Sequence, residues 1–102
     1  MDAILTGEPI DARRAFDLGL VSRLVEPDAA LGEALRVAQQ IVSAAPLAVR
    51  ASRRVVLSAS TEPDDMLRKV SRELLDELLA SEDASEGLLA FTEKRPPQWQ
   101  GR

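Results

Sequence analysis

Apolar residues recur at spacings of three and four from residue 29 almost to the end of the chain, and this periodicity leaves little room for anything but packed helices. The turn Glu26-Pro27-Asp28 leads into a predicted helix over 29–45, in which Leu31, Leu35, Ala38 and Val42 form a stripe widened by Ala34 and Ile41. Pro46 restarts a helix at its first position, where its missing N–H is harmless, giving a second helix over 47–59. After Ser60-Thr61-Glu62-Pro63 a third is expected over 64–80, with Met66, Val70, Leu74 and Leu78 on one stripe and Leu67, Leu75 and Leu79 beside it. A last helix is expected from about Asp83, with Glu86 three residues on in a capping-box arrangement and Leu88, Leu89 and Phe91 as its apolar residues. Pro96-Pro97 stops it and leaves Gln98-Trp99-Gln100-Gly101-Arg102 as a tail.

The first 28 residues read differently. Met1 to Leu5 has the character of a final helical turn, stopped at Thr6-Gly7, and such an opening suggests part of a larger protein. Glu8-Pro9-Ile10 is expected to be extended, and Asp11 is a good N-cap for a short helix over 12–18 that Gly19 ends. Leu20-Val21-Ser22-Arg23-Leu24-Val25 is predicted as one short β-strand near residues 20–25. No second β-rich run is present to pair with it, which again points to missing structure. The fold class is therefore mainly α, with one orphan strand. Residues 1–28 form one portion and 29–102 a helical region.

With 102 residues the chain suffices for one small domain and would bury only roughly 60–65% of its unfolded surface. Aromatic residues are 3% of the whole, so the core must be built from Leu, Val, Ala and Ile. A net charge of −4 and a pI near 4.8 argue against general nucleic-acid binding. The absence of Cys and His excludes disulfides, thiolate and imidazole chemistry, and thiol- or imidazole-based metal sites, so no metal is expected. Neither a signal peptide nor a stretch near the ~20 apolar residues of a membrane span is present, and a cytoplasmic setting is the default expectation.

Two stretches carry a resemblance. The first is Leu5-Thr6-Gly7-Glu8-Pro9-Ile10-Asp11-Ala12 with Ala15, Leu18-Gly19-Leu20-Val21 and Val25. The second is Ser81-Glu82-Asp83-Ala84, Glu86-Gly87, Ala90-Phe91 and Glu93-Lys94-Arg95-Pro96-Pro97, then Trp99 and Gly101; Ala45-Pro46-Leu47-Ala48-Val49-Arg50 lies between them. Together, in this order, they resemble the C-terminal portion of the enoyl-CoA hydratase/isomerase (crotonase) family. The resemblance implies the C-terminal helical segment of a ClpP/crotonase-like fold. Residues 1–28 would be the end of the crotonase core, and 29–102 a helical region that covers coenzyme A and supports trimers or dimers of trimers. It implies a lyase of fatty-acid metabolism that hydrates 2-enoyl-CoA, with the acyl-CoA thioester as substrate and no separate cofactor. The family's oxyanion-hole N–H groups and its two catalytic glutamates precede the equivalent of Met1. No residue here matches them, so no catalytic residue is assigned and the chain alone is expected to be inactive.

In hydratase-type members an aromatic and a lysine of the last helix lie near the CoA adenine and ribose phosphate. The matching positions are Phe91 and Lys94. Each also has a structural reading: Phe91 as a core residue under the last helix, and Lys94 with Arg95 as cations at the negative end of a helix dipole. Arg50, Arg53 and Arg54 read as a solvated face or as partners for acids rather than a nucleic-acid site. Glu82, Asp83 and Glu86 read as acids stabilising a helix N-terminus rather than a metal or acid–base site, and Trp99 as an anchor that pins the tail to a neighbour. A helical oligomerisation or interaction module, working alone, is the alternative to the enzyme reading.

Overall fold

A computed structural model describes residues 2–102, with side chains described from Ile4 onward. The helices are α1 (Asp2–Thr6), α2 (Ala12–Asp17), α3 (Ala30–Val42), α4 (Pro46–Ser58), α5 (Asp64–Leu79) and α6 (Glu82–Glu93), with a single 3₁₀ turn at Pro27–Ala29 before α3. The part of the expected first turn that falls on Met1 lies outside the described residues. Contacts divide the chain into two compact units, Met1–Val37 and Ala38–Arg102.

In the first unit, α1 stops where Gly7 takes φ +69°, the left-handed conformation that side chains disfavour. Asp11 caps α2 as expected, its Oδ1 accepting the Arg14 N–H at 2.8 Å. The other end closes in a Schellman arrangement: Leu20 N–H donates to the Ala15 carbonyl and Gly19 N–H to that of Phe16, both at 2.9 Å, with Gly19 at φ +72°. The expected strand over 20–25 is not formed. The segment is a bend followed by irregular chain, and no strand occurs among the described residues. β-branched composition favours extension, but a ladder needs a partner edge, and none is available. An ion pair holds the segment instead: Arg23 Nη1 donates to Glu33 at 2.8 Å, and Arg36 grips the same carboxylate with two bonds of 2.7 Å. These bonds, those of Arg36 foremost, bring the Glu33 carboxyl down from its ordinary 4.5 to about 2.

In the second unit, α3 ends at Val42, three residues before the expected limit. Ser43 Oγ bonds the Gln40 carbonyl at 2.8 Å, and Ala45, preceding a proline, is pushed out of helical geometry to ψ 119°. Pro46 opens α4 at its first position as predicted. Helix α4 packs on α5 and α5 on α6. Val70, Leu74 and Leu78 of the α5 stripe are half-buried, whereas Met66, Leu75 and Leu79 stay exposed.

Helix α6 forms where it is expected. It begins at Glu82, one residue before Asp83, capped by Ser81 Oγ accepting the Ala84 N–H at 3.1 Å. Its inward stripe is Asp83, Gly87 and Ala90, not Leu88, Leu89 and Phe91, which are 73%, 49% and 85% exposed. Ala90 is the one buried apolar residue among those described. Spacings of four and three put small and acidic groups on the covered face because that face receives the tail.

Candidate functional site

The tail after α6 has no regular secondary structure, so its backbone N–H groups need other acceptors. Acids in the first two turns of α6 supply them. Asp83, 2% exposed, accepts the Gln100 N–H on Oδ1 at 2.7 Å and the Gly101 N–H on Oδ2 at 3.0 Å, while its own N–H donates to the Arg102 carbonyl at 3.1 Å. Glu86 accepts the Gln98 N–H at 2.6 Å and a two-pronged guanidinium from Arg95 at 2.6 and 2.9 Å. Glu82 pairs with Arg102 Nε at 2.9 Å. The acids are thus structural, as the sequence reading held, but their main partner is the tail rather than the helix dipole.

Trp99 completes the clasp. Its Nε1–H donates to the Ser43 carbonyl at 2.9 Å, and its ring lies on Gly87. A Cβ on Gly87 would stand 3.3 Å from Trp99 Cη2, so glycine is what lets the indole approach the helix. The expectation that Trp99 pins the tail is met. Gly101, at φ +77°, turns the chain toward Pro46 and Arg50.

Around Glu86 the electrostatics follow from these bonds. Hydrogen bonding by Arg95, then by the Gln98 N–H, holds the Glu86 carboxyl at about 2 against an ordinary 4.5. Arg95, bonded to Glu86 and to Glu93 at 2.6 Å, is raised further above its already high value.

The two sequence-predicted binding residues lie at the other end of α6. Phe91 is 85% exposed, which overturns the core reading for this chain: the ring packs under nothing. It shares one face with Leu88, three residues earlier and 73% exposed. Lys94 follows three residues after Phe91, and its side chain is exposed with no ion pair among the described residues. Its backbone is left-handed, φ 53° and ψ 41°, in a second Schellman closure: Lys94 N–H donates to the Phe91 carbonyl at 3.3 Å and Arg95 N–H to that of Ala90 at 3.1 Å. The equivalent position at the end of α2 is Gly19. Lysine therefore stands where the chain elsewhere uses glycine.

Sequence reasoning missed the clasp, although its signal was present. A tail of unpaired N–H groups behind a Pro-Pro stop needs acceptors, and three acids stand in the first two turns of the preceding helix. Of the remaining candidates, Arg50, Arg53 and Arg54 are exposed and make no ion pair among the described residues, which fits the solvated-face reading. Arg50 and Arg54 border an open groove of about 260 Å³ between α4 and α5, floored by Leu47, Ala51, Leu74 and Leu78. No helix among the described residues is long and apolar enough to cross a membrane.

The family profile described as enoyl-CoA hydratase/isomerase matches residues 1–102. The chain belongs to this family. It is 37% identical over 105 residues to the carnitinyl-CoA dehydratase of Citrobacter koseri, covering 99% of this chain and 40% of that protein. Against the crystal structure of an enoyl-CoA hydratase from Mycobacterium tuberculosis H37Rv it is 38% identical with a TM-score of 0.92, covering all of this chain and 40% of the other. For the enoyl-CoA hydratase from Bacillus anthracis the values are 29% and 0.91, with 99% and 39% covered. The matched region is C-terminal, and the chain spans about 40% of the length of the curated relatives it matches. The mostly helical chain matches crotonase-fold enzymes, without the strand expected at 20–25 among the described residues.

Proposed function

We propose that this chain is the C-terminal part of an enoyl-CoA hydratase-like enzyme that acts on acyl-CoA thioesters, with hydration of a 2-enoyl-CoA as the reaction of the whole protein. The observation that carries this reading is the family match over all 102 residues. Hydration needs a carboxylate to take a proton from water and fixed N–H donors to hold charge on the thioester oxygen. Here Glu82, Asp83 and Glu86 are committed to the tail's own donors and offer no free base. The chain alone is therefore inactive, and the reacting groups belong to the region of the relatives that it does not match.

Its own contribution is to grip the coenzyme. Phe91 presents an open ring to the adenine edge, and Lys94 an ammonium to the ribose phosphate. Their exposure at one helix end supports this. The CoA thioester is the substrate and no further cofactor enters. Homo-oligomers, as trimers or dimers of trimers in the cytoplasm, belong to the same reading, supported by the open apolar faces of α3 and α5, where Leu35 is 62% and Leu79 67% exposed.

The test is a calorimetric titration of the chain with CoA and with 3′-dephospho-CoA. CoA binds about tenfold more tightly, as one charge-assisted contact to phosphate warrants. Lys94→Gly removes the preference while raising stability by about 1 kcal/mol, because glycine relieves the left-handed backbone. Equal affinity for the two ligands in the unaltered chain would overturn the assignment of Lys94.

A further inference from the structure

The clasp and the proposed coenzyme grip share a boundary: Arg95, the residue after Lys94, is the one most tightly held at the end of α6. Its guanidinium meets Glu86 through two bonds and Glu93 through a third, and its N–H closes the helix on Ala90. Gln98 N–H, on the same Glu86 oxygen as Arg95 Nη1, holds the chain beyond the Pro-Pro stop. Lys94 thus sits between a closed helix and a locked neighbour, in a left-handed conformation that an L-residue keeps only where its surroundings enforce it.

We propose that Glu86 and Arg95 are positioning residues for coenzyme recognition: their fork fixes the backbone at Lys94 and so aims its ammonium at the ribose phosphate. This rests on the reading of Lys94 given above. The lock would pre-set the donor's direction, so that binding does not have to order a free helix end.

The sign of one substitution separates positioning from simple electrostatics. Glu86→Gln removes a negative charge from the helix that carries Lys94, and a field effect alone would tighten binding of the anionic CoA. Loss of positioning weakens it, and only for the phosphorylated ligand. Affinities for CoA and 3′-dephospho-CoA are measured for the unaltered chain, Glu86→Gln, Arg95→Lys and Lys94→Gly, with circular dichroism confirming the helices of each. Arg95→Lys keeps the charge but cannot make the fork, and it serves if Glu86→Gln fails to fold. The expected result is a drop of about tenfold in preference for CoA in either lock variant, with dephospho-CoA affinity unchanged. Retained or increased preference in both lock variants, with Lys94→Gly losing it, overturns the positioning role and leaves Lys94 as the phosphate ligand. Equal weakening toward both ligands reduces the fork to a structural role and also overturns the proposal. No preference in the unaltered chain overturns the reading of Lys94 and the inference with it.

Discussion

At the scale of single residues, the second of the two stretches that carry the resemblance is accounted for by contacts rather than chemistry. Ser81 caps the helix, Asp83 and Glu86 receive the tail, Gly87 yields space to Trp99, and Arg95 forks onto Glu86. The buried carboxylate is the most sensitive of these. Each Asp83 oxygen faces an N–H, so Asp83→Asn sets an amide donor against a backbone donor in a covered site. The expected loss is about 2 kcal/mol, read as a lowered urea midpoint with little change in slope. A midpoint within error of the original would mean that the clasp contributes nothing to the fold. Phe91 and Lys94 differ: Phe91 is 85% exposed and Lys94 makes no ion pair among the described residues, as the proposed coenzyme contact requires.

At the scale of elements, helices were legible and their orientation was not. Periodicity and proline placement gave α3, α4 and α5 to within three residues at each end. The strand over 20–25 failed because composition reports a preference for extension but cannot supply the partner edge that makes a ladder. The core reading of Phe91 in α6 failed because a large apolar residue does not by itself mark the covered face. That face is set instead by a tail whose hydrogen bonds no periodicity reveals. The clasp carries a pH dependence of definite sign. Glu86 has a folded value of about 2, below its ordinary 4.5, so its contribution is complete above about 4.5 and is lost as pH falls toward 2. Trp99 is the only tryptophan, and its fluorescence should shift to longer wavelength across that window as the tail is released. In Glu86→Gln the tail is released more readily at neutral pH and the shift between 4.5 and 2 is reduced. An unchanged acid transition in that variant would assign the effect to other carboxylates, of which Glu33, also held near 2, is the first to examine.

At the scale of the whole molecule, the chain exposes much of what it would be expected to bury. Leu31 and Val42 of α3 are 72% and 71% exposed, and so is Val56 of α4 at 71%. Stripes that the sequence marks as core are open surfaces here, consistent with a chain that matches 40% of the length of its relatives. Family and architecture could be read from the order of short motifs; the reaction could not, because the groups that would perform it match no position in these residues. The central claim is that these residues complete an acyl-CoA site without supplying its reactive groups. Its most direct test follows the absorbance of crotonyl-CoA with the purified chain alone and after mixing with the complementary N-terminal part of a relative such as the Mycobacterium tuberculosis enzyme. The account predicts no loss of the conjugated thioester with the chain alone and hydration in the mixture. Hydration by the chain alone, retained through size exclusion, would contradict it.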